Sequence, residues 1–598
     1  MTAAVLGILI LVLPFCLVLC AENRIQAFLR VLAASTLFHL AVALVTQYLR
    51  IFRYSTVIYP SVAFAIVCAF IFLKKMKESR QIGSSLLLPA RDASHASLAW
   101  IVIAAAVVLF ELSSPHYHYT GPVKTINGTA EVTNSIYLYP YFSDEWADAS
   151  LVDYSLRTGS LPFAIPFIPD SSFLNPLAGF FSIVAELCVL LALPPLAAYP
   201  LFAVLASLLI SVLVALCVRS WGGSPFAAAC AALSVPLMVS GSNFGGIWYL
   251  LPITGGLLFL LVAISSVSFK DIKLFTISCL VALMLYPPIA VFIVPLAIIS
   301  FASSSKNRKL KPIMFTLLGL IAAGLVVFMI LAARFSLNES WASLIGFLFR
   351  DNATGGIPSF IMWYILPLPI LVAAAIGTAE SWVRARWAIF VPLILGLIWW
   401  AANSFTAKTV VIDYARVVFV TSVLLCVCAG FGIELLIKKI GKSAGESWGH
   451  VFEWAIMSLF IWAALLYPGN AWKHLTLDYS PSTIQPYPSA NRYLTSDDLR
   501  LFAGIHEKIF IAPPWKGLVI GVALHNYPLE TTNATIAARV FRYEDFMVLD
   551  CAGKSAIARL YQVDYVYSKP FLCPGFSEMD TSGEGLHLYR FIATKSSL

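Results

Sequence analysis

Apolar runs recur along the chain from residue 3 to residue 467, most of them about 15–22 residues long and separated by short polar connectors. Coiled at about 1.5 Å per residue, a run of that length matches a hydrocarbon core about 30 Å thick. The pattern predicts an α-helical polytopic membrane protein with about fourteen transmembrane helices. Two runs do not fit a simple crossing. Residues 173–193 are long enough to span, but a crossing there would put every later basic cluster on the wrong side, so a helix lying along the outer interface is expected. Residues 274–302 are too long for one pass and are interrupted at Tyr286, Pro287 and Pro288, which predicts two short helices meeting near the outer face. Residues 3–20 lack the basic n-region and small-residue cleavage site of a signal peptide and read as a membrane helix. Beyond residue 468 the pattern changes to stretches such as 516–523 and 562–567, where polar positions alternate with β-branched or aromatic ones between turns rich in Pro and Gly. That tail predicts a small soluble α/β domain.

Composition supports the same class. Of 598 residues, 60% are hydrophobic and 12% charged, about half the charge of a soluble domain. The net charge of +8 resides in clusters between apolar runs: Lys74, Lys75, Lys77 and Arg80; Lys270 and Lys273; Lys306, Arg308, Lys309 and Lys311; Arg384 and Arg386; Lys438, Lys439 and Lys442. All can be cytoplasmic at once, which is membrane topology rather than a nucleic-acid footprint. Disorder, collagen and a secreted disulfide scaffold are excluded by the same composition. The expected organisation is extra N-terminal helices and a cytoplasmic loop in residues 1–97, a membrane core in 98–467 with an outer loop at 113–172, and an extracytoplasmic domain in 468–598. All four Asn-x-Ser/Thr triplets, at Asn127, Asn338, Asn352 and Asn533, fall in segments expected outside. Most of the 11 cysteines sit in apolar runs, and no metal-like cysteine spacing occurs. Cys551 and Cys573, the tail's two cysteines, face an oxidising compartment in this topology, where a disulfide is expected rather than a metal site. His116 and His118 alternate with Tyr117 and Tyr119, a run that reads as an aromatic interfacial belt.

The stretch with candidate chemistry is residues 139–166, YPYFSDEWADASLVDYSLRTGSLPFAIP. A helix is expected over 143–156, with Ser143 as its cap, Asp144 and Glu145 in the first turn, Asp148 on the face of Asp144, and Thr158, Gly159 and Ser160 as its stop. Solvation of a helix start would explain acids there. A close-set acidic group beside aromatic residues on so long an outer loop points instead to a site.

This stretch resembles the GT-C superfamily, multi-pass glycosyltransferases that take sugars from polyprenyl-phosphate carriers. Their first large outer loop holds an Asp-Glu pair, a short helix and a G-x-x-P segment, matched by Asp144, Glu145 and Gly159 to Pro162. The likeness continues in Asn175-Pro176-Leu177, in the half-helices around Tyr286 and Pro287, in Asp413-Tyr414-Ala415-Arg416, and in the closing YQVDYVY of residues 561–567. The resemblance implies Asp144 as the catalytic base, with Glu145 orienting it or binding the acceptor, while Asp148 and Tyr414 fall among the substrate-binding candidates. It also implies a lipid-linked sugar donor, a glycan, lipid or protein acceptor, and a place in the cell membrane with the active site extracytoplasmic. Lys-Pro-Pro-Leu, present in part of the superfamily, is here Asn175-Pro176-Leu177, so no lysine contact to the lipid phosphate is carried over. Trp-Trp-Asp is absent from the tail, which favours a lipid-phosphate monosaccharide donor and a reaction that requires no divalent metal.

A polyprenyl phosphate is already a good leaving group, so one carboxylate suffices as base, unlike the paired carboxyls of glycosidases. The phosphate needs a cation near the outer interface. Arg416, at the start of a late span, is the first candidate and Arg157 the second; a snorkelling arginine and a solvated surface arginine are the plain alternatives. Two other classes compete. A transporter or flippase should place ionisable residues within its spans, which read as almost purely apolar. A non-catalytic scaffold using the tail as a binding module would not need Asp144.

Overall fold

The computed structural model describes residues 2–81, 100, 102–110, 119–125, 128–135, 140, 143–164, 166–167, 174–238, 247, 249–303, 349–351, 366–406, 408–444, 446–466, 494–531, 541–583 and 585–592. His116, His118 and all four Asn-x-Ser/Thr asparagines lie outside the described residues, as does most of the apolar run after Lys311. The described chain is mostly helical. Among the described residues, five helices are long and apolar enough to cross a membrane, by length and composition: Arg24–Tyr48, Tyr54–Glu78, Pro195–Ser220, Trp387–Ser404 and Tyr414–Ser443. Shorter apolar helices such as Pro252–Ser268 and Leu368–Val383 pack among them. Leu368–Val383 meets the long helix Tyr414–Ala444 backbone to backbone: a methyl group on Gly377 would sit 1.8 Å from the Cys428 carbonyl oxygen, and one on Gly432 1.9 Å from that of Ala373. Glycine is what permits so close a helix contact, whose gain is dispersion rather than expelled water.

The interrupted run breaks where proline requires it. Helix Ile272–Leu285 ends at Tyr286, a 3-10 turn covers Pro287–Ile289, and helix Ala290–Ser303 follows. The first hydrophobic run is helical over Thr2–Val12 and continues as a 3-10 helix over Leu13–Cys20, with Pro14 in its first turn. The run at 173–193 contains helix Ala178–Leu191, whose 14 residues rise about 21 Å, short of a hydrocarbon core.

Most of that short helix is buried, between Arg24–Tyr48 on one side and Ser143–Thr158 on the other. His39 Nδ1 meets Glu186 Oε1 at 2.7 Å with both side chains nearly fully buried, and Ser182 donates to Gln47 Oε1 at 2.7 Å. The spans are therefore not purely apolar, since His39 sits in the middle of one of them. At the other end of the same span Arg30 and Gln26 reach Asp271 Oδ2 at 2.6 and 2.9 Å, while Asp271 Oδ1 caps helix Ile272–Leu285. The extra N-terminal helices are thus tied to the membrane core at both ends, and through Ala178–Leu191 they support the acidic helix.

The tail forms a five-stranded sheet whose spatial order is Tyr527–Pro528, Ile509–Ile511, Tyr565–Ser568, His587–Phe591 and Phe576–Thr581; the first three run parallel and the last two pairings are antiparallel. With its helices this is an α/β domain. Within it, residues 516–523 are not in β alternation but lie in helix Pro514–Leu524. Proline in the first turn starts that helix, His525 in the left-handed region (φ 53°) ends it, and the apolar run between is buried on nearly every side, which erases the periodicity that distinguishes helix from strand. Lys516 is buried with it, donating to Asp498 Oδ2 at 2.6 Å, while Tyr567 donates to Asp498 Oδ1 at 2.9 Å.

Cys551 and Cys573, 22 positions apart, are joined with their Sγ atoms at 2.02 Å. Non-reducing peptide mapping of protein purified without reductant should recover this pair as one crosslinked fragment. Replacing both by Ser should cost on the order of 3 kcal/mol, the loop-closure entropy of a chain that long; two free thiols would refute the pairing.

Candidate active site

Helix Ser143–Thr158 carries the acids, and its first turn contains Asp144 and Glu145. It ends as expected: Gly159 takes φ +66°, where a side chain would be strained and would meet the Phe52 carbonyl oxygen at 3.2 Å. The next residues are held by Asn175, whose amide donates to the Pro162 carbonyl at 3.2 Å and whose Oδ1 accepts from Leu177 N–H at 3.0 Å. Asn175 therefore ties the Gly159 to Pro162 segment to the start of helix Ala178–Leu191.

The two acids at the helix start have different surroundings. Glu145 is 2% exposed and its Oε1 accepts from the Leu250 backbone N–H at 2.8 Å, which fastens the acidic helix to the segment that opens Pro252–Ser268. Asp144 keeps 34% of its side chain exposed, and its Oδ2 meets Arg416 Nη2 at 3.3 Å. Those two residues are 272 positions apart. Arg416 Nη1 also bonds Asp413 Oδ2, while Asp413 Oδ1 accepts from the Arg416 backbone N–H at 3.0 Å. One carboxylate thus caps the helix and orients the guanidinium. Tyr286, at the break between the half-helices, interacts electrostatically with the same guanidinium. Tyr414 is buried at the start of the helix.

Asp148 lies one turn beyond Asp144 and is 8% exposed. Burial, then the charge of Asp144, pushes its carboxyl well above the ordinary carboxylate range, and the pull of Arg416 does not offset this. Tyr199, fully buried near the start of Pro195–Ser220, interacts electrostatically with Asp148 and Glu145. Nothing in the chain's pattern singles out Tyr199, because an aromatic at a helix start reads as packing.

Arg157 does not join this cluster. It is 13 positions from Asp144 along one helix, about 20 Å away, and is half exposed in an ion pair with Asp153 at 2.7 Å. Asp153 also faces His525 of the tail, 3.5 Å away. The tail in turn rests on the acidic helix: Trp146, Ala147 and Phe167 share one apolar cluster with Phe502, Phe510, Leu518 and Tyr567. Trp146 is fully buried there and donates to the Pro140 carbonyl at 2.8 Å. Among the described residues, no three His, Cys, Asp or Glu side chains are grouped to hold a metal ion.

The site is therefore a partly exposed carboxylate held beside an oriented guanidinium, at the end of the helix bundle and under the tail. It offers a proton acceptor and an anion-binding fork within one reaction distance. No protein-family model and no curated protein sequence matches the chain. Among solved structures the chain is similar to the oligosaccharyltransferase of Archaeoglobus fulgidus in its apo form, at 12% identity and a TM-score of 0.49, covering 80% of this chain and 70% of that one. It is also similar to ArnT from Cupriavidus metallidurans in the apo state, at 12% identity and a TM-score of 0.46, and bound to undecaprenyl phosphate, at 13% and 0.43; each covers 83% of this chain and 98% of that one. The similarity is one of chain course at low identity, and what the site does has to be argued from its residues.

Proposed function

We propose that the protein is an integral membrane glycosyltransferase that moves a sugar from a polyprenyl-phosphate carrier to an acceptor hydroxyl on the extracytoplasmic side, with inversion and without a divalent metal. The observation that carries this reading is the meeting of Asp144 with Arg416 across 272 positions. The acceptor oxygen attacks the anomeric carbon and its proton passes to Asp144. The bond from that carbon to the phosphate oxygen breaks, and the electron pair leaves with the lipid phosphate, whose charge Arg416 balances. Arg416 is held firmly by Asp413 and more loosely by Asp144 at 3.3 Å. An arriving phosphate exchanges with the looser partner, which frees the base in the same step.

The extracytoplasmic placement is supported by the long helix Tyr414–Ala444, which holds Arg416 in its first turn. Lys438, Lys439 and Lys442 lie near its far end, about 33 Å away at 1.5 Å per residue, so the basic cluster and the site are a membrane thickness apart. Glu145 holds the acidic helix in place through Leu250.

Arg416→Lys tests the donor half of this reading. Lysine keeps the charge but loses the planar fork that serves Asp413 and phosphate together, so the apparent donor affinity should fall about tenfold or more. Titration of the purified, monodisperse variant with a polyprenyl-phosphate sugar is the measurement. Unchanged donor affinity would return Arg416 to a snorkelling role.

A further inference from the structure

Asp148 is the buried acid for which the reaction has no use. Its Oδ2 has no hydrogen-bond partner among the described residues, and neither has the Tyr199 hydroxyl, which interacts electrostatically with it. An ionised carboxylate oxygen so placed would give up its hydration for nothing, whereas a neutral carboxyl loses far less. Asp144, four positions earlier, has the opposite setting, with water on one side and Arg416 on the other. Two carboxylates one helical turn apart repel when both are charged.

We propose, resting on the reading of Asp144 as the base, that Asp148 is a positioning residue: a carboxylic acid that stays neutral at working pH, so that the single negative charge on this face of the helix resides on Asp144. The groups around it agree with this assignment. On its own helix Asp144 and Glu145 both repel a charge on Asp148, and Arg416 is held by Asp413 and Asp144. From the packed elements, Glu186 of Ala178–Leu191 is taken by His39, Lys516 of the tail helix by Asp498, and Tyr199 offers a hydroxyl and no charge. Placing the proton on the buried acid assigns the two roles by environment alone, as in other sites where neighbouring carboxyls are driven apart.

Infrared difference spectroscopy of the full-length protein in detergent, parent against Asp148→Asn at neutral pH, tests this without any assay of sugar transfer. The parent should show one protonated-carboxyl C=O band that the variant lacks. Its absence would overturn the inference even if the protein transfers sugar, and its presence would sustain it even if the transfer reading failed. Should Asp148→Asn not be recoverable, Asp148→Ser gives the same comparison with a hydroxyl kept in place. In a transfer assay Asp148→Asn should lose at most about tenfold in turnover, the worth of a neutral hydrogen bond, whereas Asp148→Glu, whose longer side chain can bring an ionised carboxylate towards Asp144, should move the acid limb of the pH profile to higher pH. A loss of a hundredfold or more in a folded Asp148→Asn protein, with no protonated-carboxyl band in the parent, would mean that the charge is needed on Asp148, and the assignment would fail.

Discussion

Asp144→Asn should lower the rate of sugar transfer by about 10² to 10⁴, the usual worth of a positioned base, while leaving donor binding nearly intact. The structure gives reasons for both halves. Asparagine has no carboxylate to take the acceptor proton, but its carbonyl can still accept from Arg416 Nη2, and Asp413 continues to hold the guanidinium. The phosphate fork is therefore preserved. Glu145→Gln should be milder in chemistry, because Glu145 accepts from the Leu250 N–H and an amide oxygen can do the same. If these acids only favoured a helix start, both changes would cost at most about 2 kcal/mol in local stability and leave the chemistry alone. Transfer from a polyprenyl-phosphate sugar, measured after matching expression and monodispersity, separates the two accounts. A parental rate in Asp144→Asn would remove it as the base and direct attention to Asp153 or to groups in the tail.

The second large effect is structural. Trp146→Ala should destabilise the protein by about 3–5 kcal/mol, because a fully buried indole leaves a cavity where the acidic helix meets the tail. The Pro140 carbonyl also loses its donor. Since Trp146 follows Asp144 and Glu145 directly, the first turn that carries the proposed base loses its support along with the tail, so transfer should fall as well. Trp146→Phe keeps most of the volume and should recover more than half of the stability. Apparent melting temperature, read with protease sensitivity of the tail, decides the matter. A parental melting temperature for Trp146→Ala would show that the tail does not support the acidic helix.

Local pattern was enough for some of the elements. Run length marks the five helices long and apolar enough to cross a membrane among the described residues, Pro287 and Pro288 break a run too long for one crossing, and Gly159 stops the acidic helix because a left-handed residue ends a helix whatever surrounds it. These features depend on neighbours in sequence. The helix at 514–524 was not legible in the same way, because burial on nearly every side removes the alternation on which a helix or strand reading depends.

The site divides along the same line. The amino-acid sequence by itself determined that acids cluster at the start of the helix at 143–158 and that an arginine stands near the start of a late apolar helix. Only the tertiary structure decided that Asp144 and Arg416 meet, that Arg157 is turned away to Asp153, that Glu145 fastens a helix and that Asp148 is buried. The physical reason is that a carboxylate's role follows from its water and its partners. Asp144 and Asp148 are the same residue type on one face of one helix, and what separates them is the Arg416 guanidinium beside the first and the bundle closing over the second, both supplied by segments distant in sequence.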